Sequence, residues 1–250
     1  MVQIKTAREL SLMKDACRIS AQALRAAGEA IRPGVSTLEI DTIVRHYIEK
    51  QGATPSFLGY GGFPASACIS VNNVVIHGIP DKYTVLREGD IVSVDVGAYY
   101  KGFHGDNAYT FACGRISENA EKLLNATRES LYEGIKQATV GNRIGDIGSA
   151  VQRYVEARSY SVVRDYVGHG VGANLHEDPS VPNYGTPHRG LKLLPGMTIA
   201  IEPMVNEGTY HVRVMPDKWT VKTVDGKLSA HFEHTVAITP DGPRIMTICD

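Results

Sequence analysis

The chain repeats itself. A shift of 107 positions (202 − 95 = 107) lays Leu24 on Leu131, Gly34 on Gly141, Ile40 on Ile147, Val44 on Val151, Tyr47 on Tyr154 and Glu49 on Glu156. After an intervening stretch of about forty residues the same shift, without a gap, lays "LREGDIVSVD" (86–95) on "LLPGMTIAIE" (193–202). Gly89 then meets Gly196, and Asp95 meets Glu202. Self-similarity at a fixed offset reports architecture that local propensity cannot. It predicts two halves of like plan, each with helices followed by strands, related by a pseudo-two-fold axis that brings Asp95 and Glu202 to equivalent places.

Local patterns fill in that plan. Apolar positions at helical spacing (Leu10, Met13, Ile19, Ala23, Leu24, Ala27) predict a helix over 6–30, ended by "RPG" at 32–34. Ser36 with Glu39 three residues on forms a capping-box signature for a second helix that closes at Gly52. The helical period returns over 118–138 and 144–158. Residues 57–79 read as short strands and turns, "DIVSVDVGAYY" and "HGDNAYTFACG" as paired strands, and strand-like runs dominate from 160 onward. With 250 residues, 43% hydrophobic and 21% charged, the chain can bury a sizeable core. We read residues 1–250 as a single domain of two halves, about 1–112 and about 113–250.

A formal charge of −1 leaves no basic excess to neutralise phosphates, which argues against nucleic acid as a main ligand. No run approaches the ~18 apolar residues of a membrane helix. The first twenty residues mix charges into every turn, unlike a signal or transit peptide. Cys17, Cys68, Cys113 and Cys249 form no CxxC pair, which fits reduced thiols. The expectation is a soluble cytoplasmic protein.

The stretch "VDVGAYYKGFHGD" (94–106) ends an apolar run with Asp95 and returns Asp106 eleven positions later (106 − 95 = 11). A hairpin centred between Tyr100 and Lys101 sets the two acids directly opposite one another, with Cβ atoms ~5 Å apart. Like charges that close repel unless one is protonated or a cation neutralises both. Glu202 ends a second apolar run, "MTIAIEP"; His169 sits between two glycines in "VGHGVG"; Glu233 lies in the β-run "SAHFEHTVAI". Singly, each has an ordinary explanation as a solvated acid or a turn histidine. Together, four carboxylates and one imidazole exceed what a single zinc ion takes and suit two divalent cations with shared carboxylates. An oxygen-rich set admits manganese, iron, cobalt or zinc and disfavours copper.

At these residues the chain resembles methionine aminopeptidase of type I, the short bacterial form. The resemblance runs through "RPGVSTLEID", "LGYGGFPASACISVNNVVIHGIP", "KGFHGD", "GHGVG", "HEDP", "IAIEPMVN", "WTVKT" and "SAHFEHT", in that order and across essentially the whole chain. It implies an α+β pita-bread (creatinase/aminopeptidase) fold, with helices covering a curved, mainly antiparallel sheet. It implies that Asp95, Asp106, His169, Glu202 and Glu233 hold two metal ions, Asp106 and Glu233 bridging. By the same resemblance His77 and His176 stand at the scissile amide, and Tyr60, Phe63, Cys68, His77 and Trp219 line the methionine pocket, although simple packing would also account for Trp219.

The implied reaction is removal of N-terminal methionine from newly made polypeptides with a small second residue. A metal-bridging hydroxide attacks the carbonyl, and Glu202 shuttles the proton. Phe57, Phe63 and Leu175 depart from residues common in close relatives, which bears on pocket shape. Asn72, Val74 and Ser229 match a monovalent-cation site of the family. The 31 residues from Glu202 to Glu233 (233 − 202 = 31) leave no room for the insertion of type II enzymes. Partners follow as nascent N-termini, with docking at the ribosome open and a monomer expected. Two other readings are a proline-directed relative such as prolidase and a non-catalytic binding module of the same fold; methionyl against X-prolyl peptides and metal titration separate them.

Overall fold

The computed structural model describes residues 2–248; of the four cysteines, Cys249 lies outside them. Helix α1 (Ala7–Ala30) opens on a capping box, Thr6 accepting from the Glu9 amide while the Glu9 carboxylate accepts from the Thr6 amide. Ser36 and Glu39 repeat the device at α2 (Thr37–Lys50), as the sequence predicts. The first half contributes strands β1 (Thr54–Pro55), β2 (Ala67–Val71), β3 (Ile91–Tyr100) and β4 (Phe103–Ala112) to the main sheet.

The second half begins with α3 (Glu118–Gln137) and α4 (Ile144–Glu156). There follow β5 (Gly168–Gly170), β6 (Glu177–Val181), β7 (Thr198–Ile201), β8 (Met204–Asn206), β9 (Ser229–His231), β10 (Glu233–Thr239) and β11 (Gly242–Ile245). One nine-stranded sheet runs β1-β3-β4-β10-β7-β5-β6, with β2 on β3 and β11 on β10, and every pairing in it is antiparallel.

The repeat is visible in three dimensions. Ser36 bridges Val85 in the first half and Arg143 bridges Lys192 in the second, the same pair 107 residues on. Gly34 and Gly141 take φ of 92° and 98°, and Gly89 and Gly196 take 95° and 87°; a side chain in this left-handed region is strained, so the shared glycines follow from the shared turns. Beyond Glu202 the offset changes. Where the first half turns back at Lys101–Gly102, the second makes a longer excursion that carries Trp219 before returning at β9 and β10.

Period-two alternation then decides which side chains face the centre. Val92, Val94 and Val96 of β3 pack with Ile40, Val44 and Ile48 of α2 and Ile19 and Leu24 of α1. Ile199 and Ile201 of β7, with Val236 and Ile238 of β10, pack against Leu131 of α3 and Ile147 and Val151 of α4. With the odd-numbered residues of β3 and the even-numbered residues of β7 on the opposite face, Asp95 and Glu202 point away from the helices.

The hairpin register corrects the sequence reading. β3 and β4 pair Tyr100 with Phe103 around Lys101–Gly102, whose φ angles are both positive (50° and 88°). Two-residue turns of this kind match the twist of the flanking strands and are preferred for that reason. The centre therefore lies one residue later than predicted. Asp95 faces Ala108 and Asp106 faces Gly97, so the acids are diagonal rather than direct neighbours. They keep a common face because the opposing partner moves by two positions.

Candidate metal centre

Glu233 opens β10 opposite Ala108 on β4, and Thr235 of the same strand donates its hydroxyl to the Asp106 carbonyl at 2.8 Å and accepts from the Asp106 amide at 3.2 Å. Acids from the two halves thus meet at the seam between them. His169 is the middle residue of β5, which lies between β6 and β7. A Cβ on Gly168 would sit 2.3 Å from the Ala200 carbonyl oxygen and one on Gly170 2.2 Å from that of Asp178, so both flanking glycines are required by close backbone approach. A buried ion pair between Lys5 and Glu177 ties the N-terminal segment to the loop that carries His176.

His169 Nε2 lies 3.8 Å from Asp106 Oδ2 and 3.6 Å from Glu202 Oε1. Its Nδ1 is 2.8 Å from the Gly170 carbonyl, an acceptor only, so the proton resides on Nδ1 and Nε2 presents a lone pair. Ligand atoms of Asp106, His169 and Glu233 lie within 4.8 Å of one another. Asp95 Oδ1, Asp106 Oδ1 and Glu233 Oε1 are buried without a hydrogen-bond partner among the described residues.

Burial raises the pKa of all four carboxyls. It brings Asp106 to about 7, against the Asn107 amide, which lowers it. Asp95 is raised further by Asp106 and Glu202, Glu202 by Asp106, and Glu233 by Asp106, Glu202 and Asp95. Burial, then His176, lowers His169 to about 3, which leaves it neutral. Orphaned carboxylate oxygens around a neutral imidazole lone pair are the donor set of divalent cations, whose charge supplies what the protein does not. The residues fit a dinuclear-type centre.

One cavity of about 380 Å³ contains the five candidate ligands, His77, His176, Tyr60, Phe63, Cys68 and Trp219, whereas Asn72, Val74 and Ser229 are not among its lining residues. Its apolar wall is a cluster of Phe57, Phe63, Cys68 and Leu175 with Trp219 packed against it. Phe63 meets the Trp219 ring edge-on at 5.2 Å. His77, held at φ 57°, stands edge-on between Trp219 at 6.2 Å and Tyr166 at 5.7 Å; burial, then His176, lowers its pKa to about 4. His176 stacks on Tyr60, with Nδ1 2.9 Å from the Tyr60 hydroxyl, and lies 4.1 Å from the His169 ring. His176 and Tyr60 are exposed and form the mouth.

Phe57 and Leu175, which the resemblance ties to pocket shape, are walls of the cavity. His231 is not among the residues the sequence singles out. It is buried, its Nε2 lies 3.5 Å from Glu202 Oε2, and burial, then His77, lowers its pKa to about 3. Its position two residues before Glu233 in a β-run was the available signal, since period two sets such residues on one face.

Fold and site define a metal-dependent hydrolase with an apolar pocket beside its metal centre. The model of the metallopeptidase family M24 matches residues 11–240. A methionine aminopeptidase of Clostridium perfringens is 56% identical over 248 residues, covering 99% of each chain. Methionine aminopeptidase 1 of Bacillus subtilis is 53% identical over 247 residues, again covering 99% of each. The crystal structure of methionine aminopeptidase from Thermotoga maritima superposes with a TM-score of 0.97 at 49% identity, covering 99% of both chains. The chain belongs to the type I methionine aminopeptidases.

Proposed function

We propose that this metal-dependent hydrolase removes methionine from the N-termini of nascent polypeptides that carry a small second residue. The observation that carries the reading is the convergence, in one cavity, of orphaned carboxylate oxygens from both halves with an apolar wall of Phe57, Phe63, Cys68, Leu175 and Trp219. Residues 1–250 act as a single catalytic domain, and the halves, about 1–112 and about 113–250, each supply part of the ligand set.

Asp95, Asp106, His169, Glu202 and Glu233 would hold two divalent ions, cobalt, manganese, iron or zinc by donor chemistry. Bound there, the ions would lower the pKa of water and polarise the scissile carbonyl. Phe57, Phe63, Cys68, Leu175 and Trp219 receive the methionine side chain and exclude water. Glu202 lines the cavity with Oε1 3.6 Å from His169 Nε2 and Oε2 3.5 Å from His231 Nε2, and in this reading its carboxylate takes a proton and returns it to the departing nitrogen. His77 and His176 face the same cavity as hydrogen-bond donors to the carbonyl oxygen and the leaving amine. A bulky second residue would meet the Tyr60–His176 stack at the mouth.

Among the described residues no helix is long and apolar enough to cross a membrane, and a cytoplasmic monomer that meets its substrates as they leave the ribosome is the reading we adopt.

Metal-free protein should cleave neither methionyl-alanyl nor X-prolyl peptides, and adding each metal in turn should restore cleavage of the methionyl peptide alone. His176→Ala should lower kcat about 100-fold, as loss of one donor to a developing oxyanion does, with a smaller change in KM. Restored X-prolyl cleavage, or methionyl cleavage that persists in chelator, would refute the reading.

A further inference from the structure

Glu202 has an imidazole against each carboxylate oxygen. Oε1 lies 3.6 Å from His169 Nε2, and Oε2 lies 3.5 Å from His231 Nε2. The reading above gives His169 a task and His231 none. The His231 side chain is only 2% exposed, and Nε2 has no hydrogen-bond partner among the described residues. Buried side-chain polar atoms are in the large majority satisfied, so an exception calls for an explanation. Here the nearby acceptor is Glu202.

Neither backbone is free to drift. The His231 amide donates to Thr110 Oγ1 at 2.9 Å, and the same hydroxyl lies 2.8 Å from the His231 carbonyl and 2.8 Å from Ser93 Oγ. Across the β8–β9 ladder His231 pairs with Met204, two residues beyond Glu202. Asn183 Nδ2 donates to the Glu202 carbonyl at 3.0 Å. Both main chains are thus clamped from outside the pair, and what remains adjustable is the contact between the two side chains. At 3.5 Å it is longer than a strong hydrogen bond, and a small turn of the carboxylate closes it.

We propose that His231 is a positioning residue for Glu202: its Nε2–H holds Oε2, which keeps Oε1 on the side of the cavity shared by His169 and Asp106. The inference rests on the reading of Glu202 as a metal ligand and proton carrier. Partners that orient a ligating carboxylate typically contribute 10–100-fold in metal affinity or activity. An apolar side chain at 231 would leave Oε2 without a donor and the carboxylate free to turn. A glutamine amide could replace the donor; an asparagine, one methylene shorter, would fall short.

The test compares wild type with His231→Leu, His231→Gln and His231→Asn, each first melted to establish that it folds. Manganese affinity of the metal-free protein is read by calorimetry, and kcat and KM on a methionyl-alanyl peptide are measured separately. The leucine and asparagine variants should bind manganese about 10-fold more weakly or worse and lose kcat to a similar degree, while glutamine recovers most of both. KM should stay within about twofold, because the pocket is untouched. If leucine fails to fold, the glutamine and asparagine pair decides.

Leucine or asparagine variants within twofold of wild type in both readouts would overturn the proposal, and so would a glutamine variant as impaired as asparagine. Glu202→Gln is run in parallel. If it keeps manganese affinity and turnover, the underlying reading of Glu202 fails; if it is inactive while His231→Leu is unaffected, only the role of His231 fails.

Discussion

Asp106→Asn will abolish turnover of a methionyl-alanyl peptide, lowering kcat/KM by at least ~10³-fold at saturating manganese, on the order of 4 kcal/mol of transition-state stabilisation. Asp106 lies at the seam of the two halves, 3% exposed, 3.8 Å from His169 Nε2, and its charge raises the pKa of Asp95, Glu202 and Glu233 alike. Asparagine keeps the shape and removes the charge that a cation needs. The amide and carbonyl of residue 106 remain bonded to Thr235, so the strand stays in place and the loss falls on the chemistry. Steady-state kinetics with a melting curve as the fold control decide it, and undiminished cleavage would refute the role given to Asp106.

The same substitution should invert its effect on stability when metal is removed. Burial holds the Asp106 carboxyl at about 7, above its ordinary value of 3.8. A raised carboxyl contributes most below its unfolded pKa, and that contribution is lost as pH rises through the folded pKa. Metal-free wild type should therefore lose stability relative to metal-free Asp106→Asn as pH rises from 4.5 to 7.5, and because the Asp106 charge also raises Asp95, Glu202 and Glu233, its removal relieves those carboxyls in the same direction.

The buried neutral histidines act oppositely. His77, lowered to about 4, and His169 and His231, lowered to about 3, contribute stability above pH ~6.5 that is lost as pH falls through those values. They are common to both proteins and cancel in the difference. Saturating manganese should reverse the order, since ligand binding at 1,000 times Kd adds about 4 kcal/mol and the variant, lacking the Asp106 carboxylate, gains less. Thermal melts at both pH values, with chelator and with manganese, measure the crossover; Asp106→Asn melting below wild type in chelator at pH 7.5 would contradict it.

Much of this molecule is legible before folding because its information is local or repeated. The capping boxes need only residues three apart, and both helices of the second half follow the first at a constant offset. The hairpin shows the limit of such reading. Its acids were visible, yet the register depends on the torsions of Lys101 and Gly102, and placing the turn one residue early changed diagonal neighbours into facing ones. The candidate ligands were legible as a group, since Asp95 and Glu202 end apolar runs, Asp106 returns across the hairpin, His169 sits between glycines and Glu233 lies in a β-run. His231 was not, because its meaning lies in a contact with Glu202, 29 residues away (231 − 202 = 29), across an excursion that the repeat does not predict. Phe57 and Leu175 were legible only through the resemblance, because an apolar residue in a loop declares no wall until the cavity closes around it.

The central claim is that acids drawn from both halves coexist by sharing two doubly charged ions. The most direct test is diffraction from manganese-soaked crystals, collected on both sides of the manganese absorption edge. Two anomalous peaks bounded by Asp95, Asp106, His169, Glu202 and Glu233, with Asp106 and Glu233 between them, are expected. A crystal soaked to saturation with no peak in this cavity, or with manganese bound only elsewhere on the chain, would contradict the account.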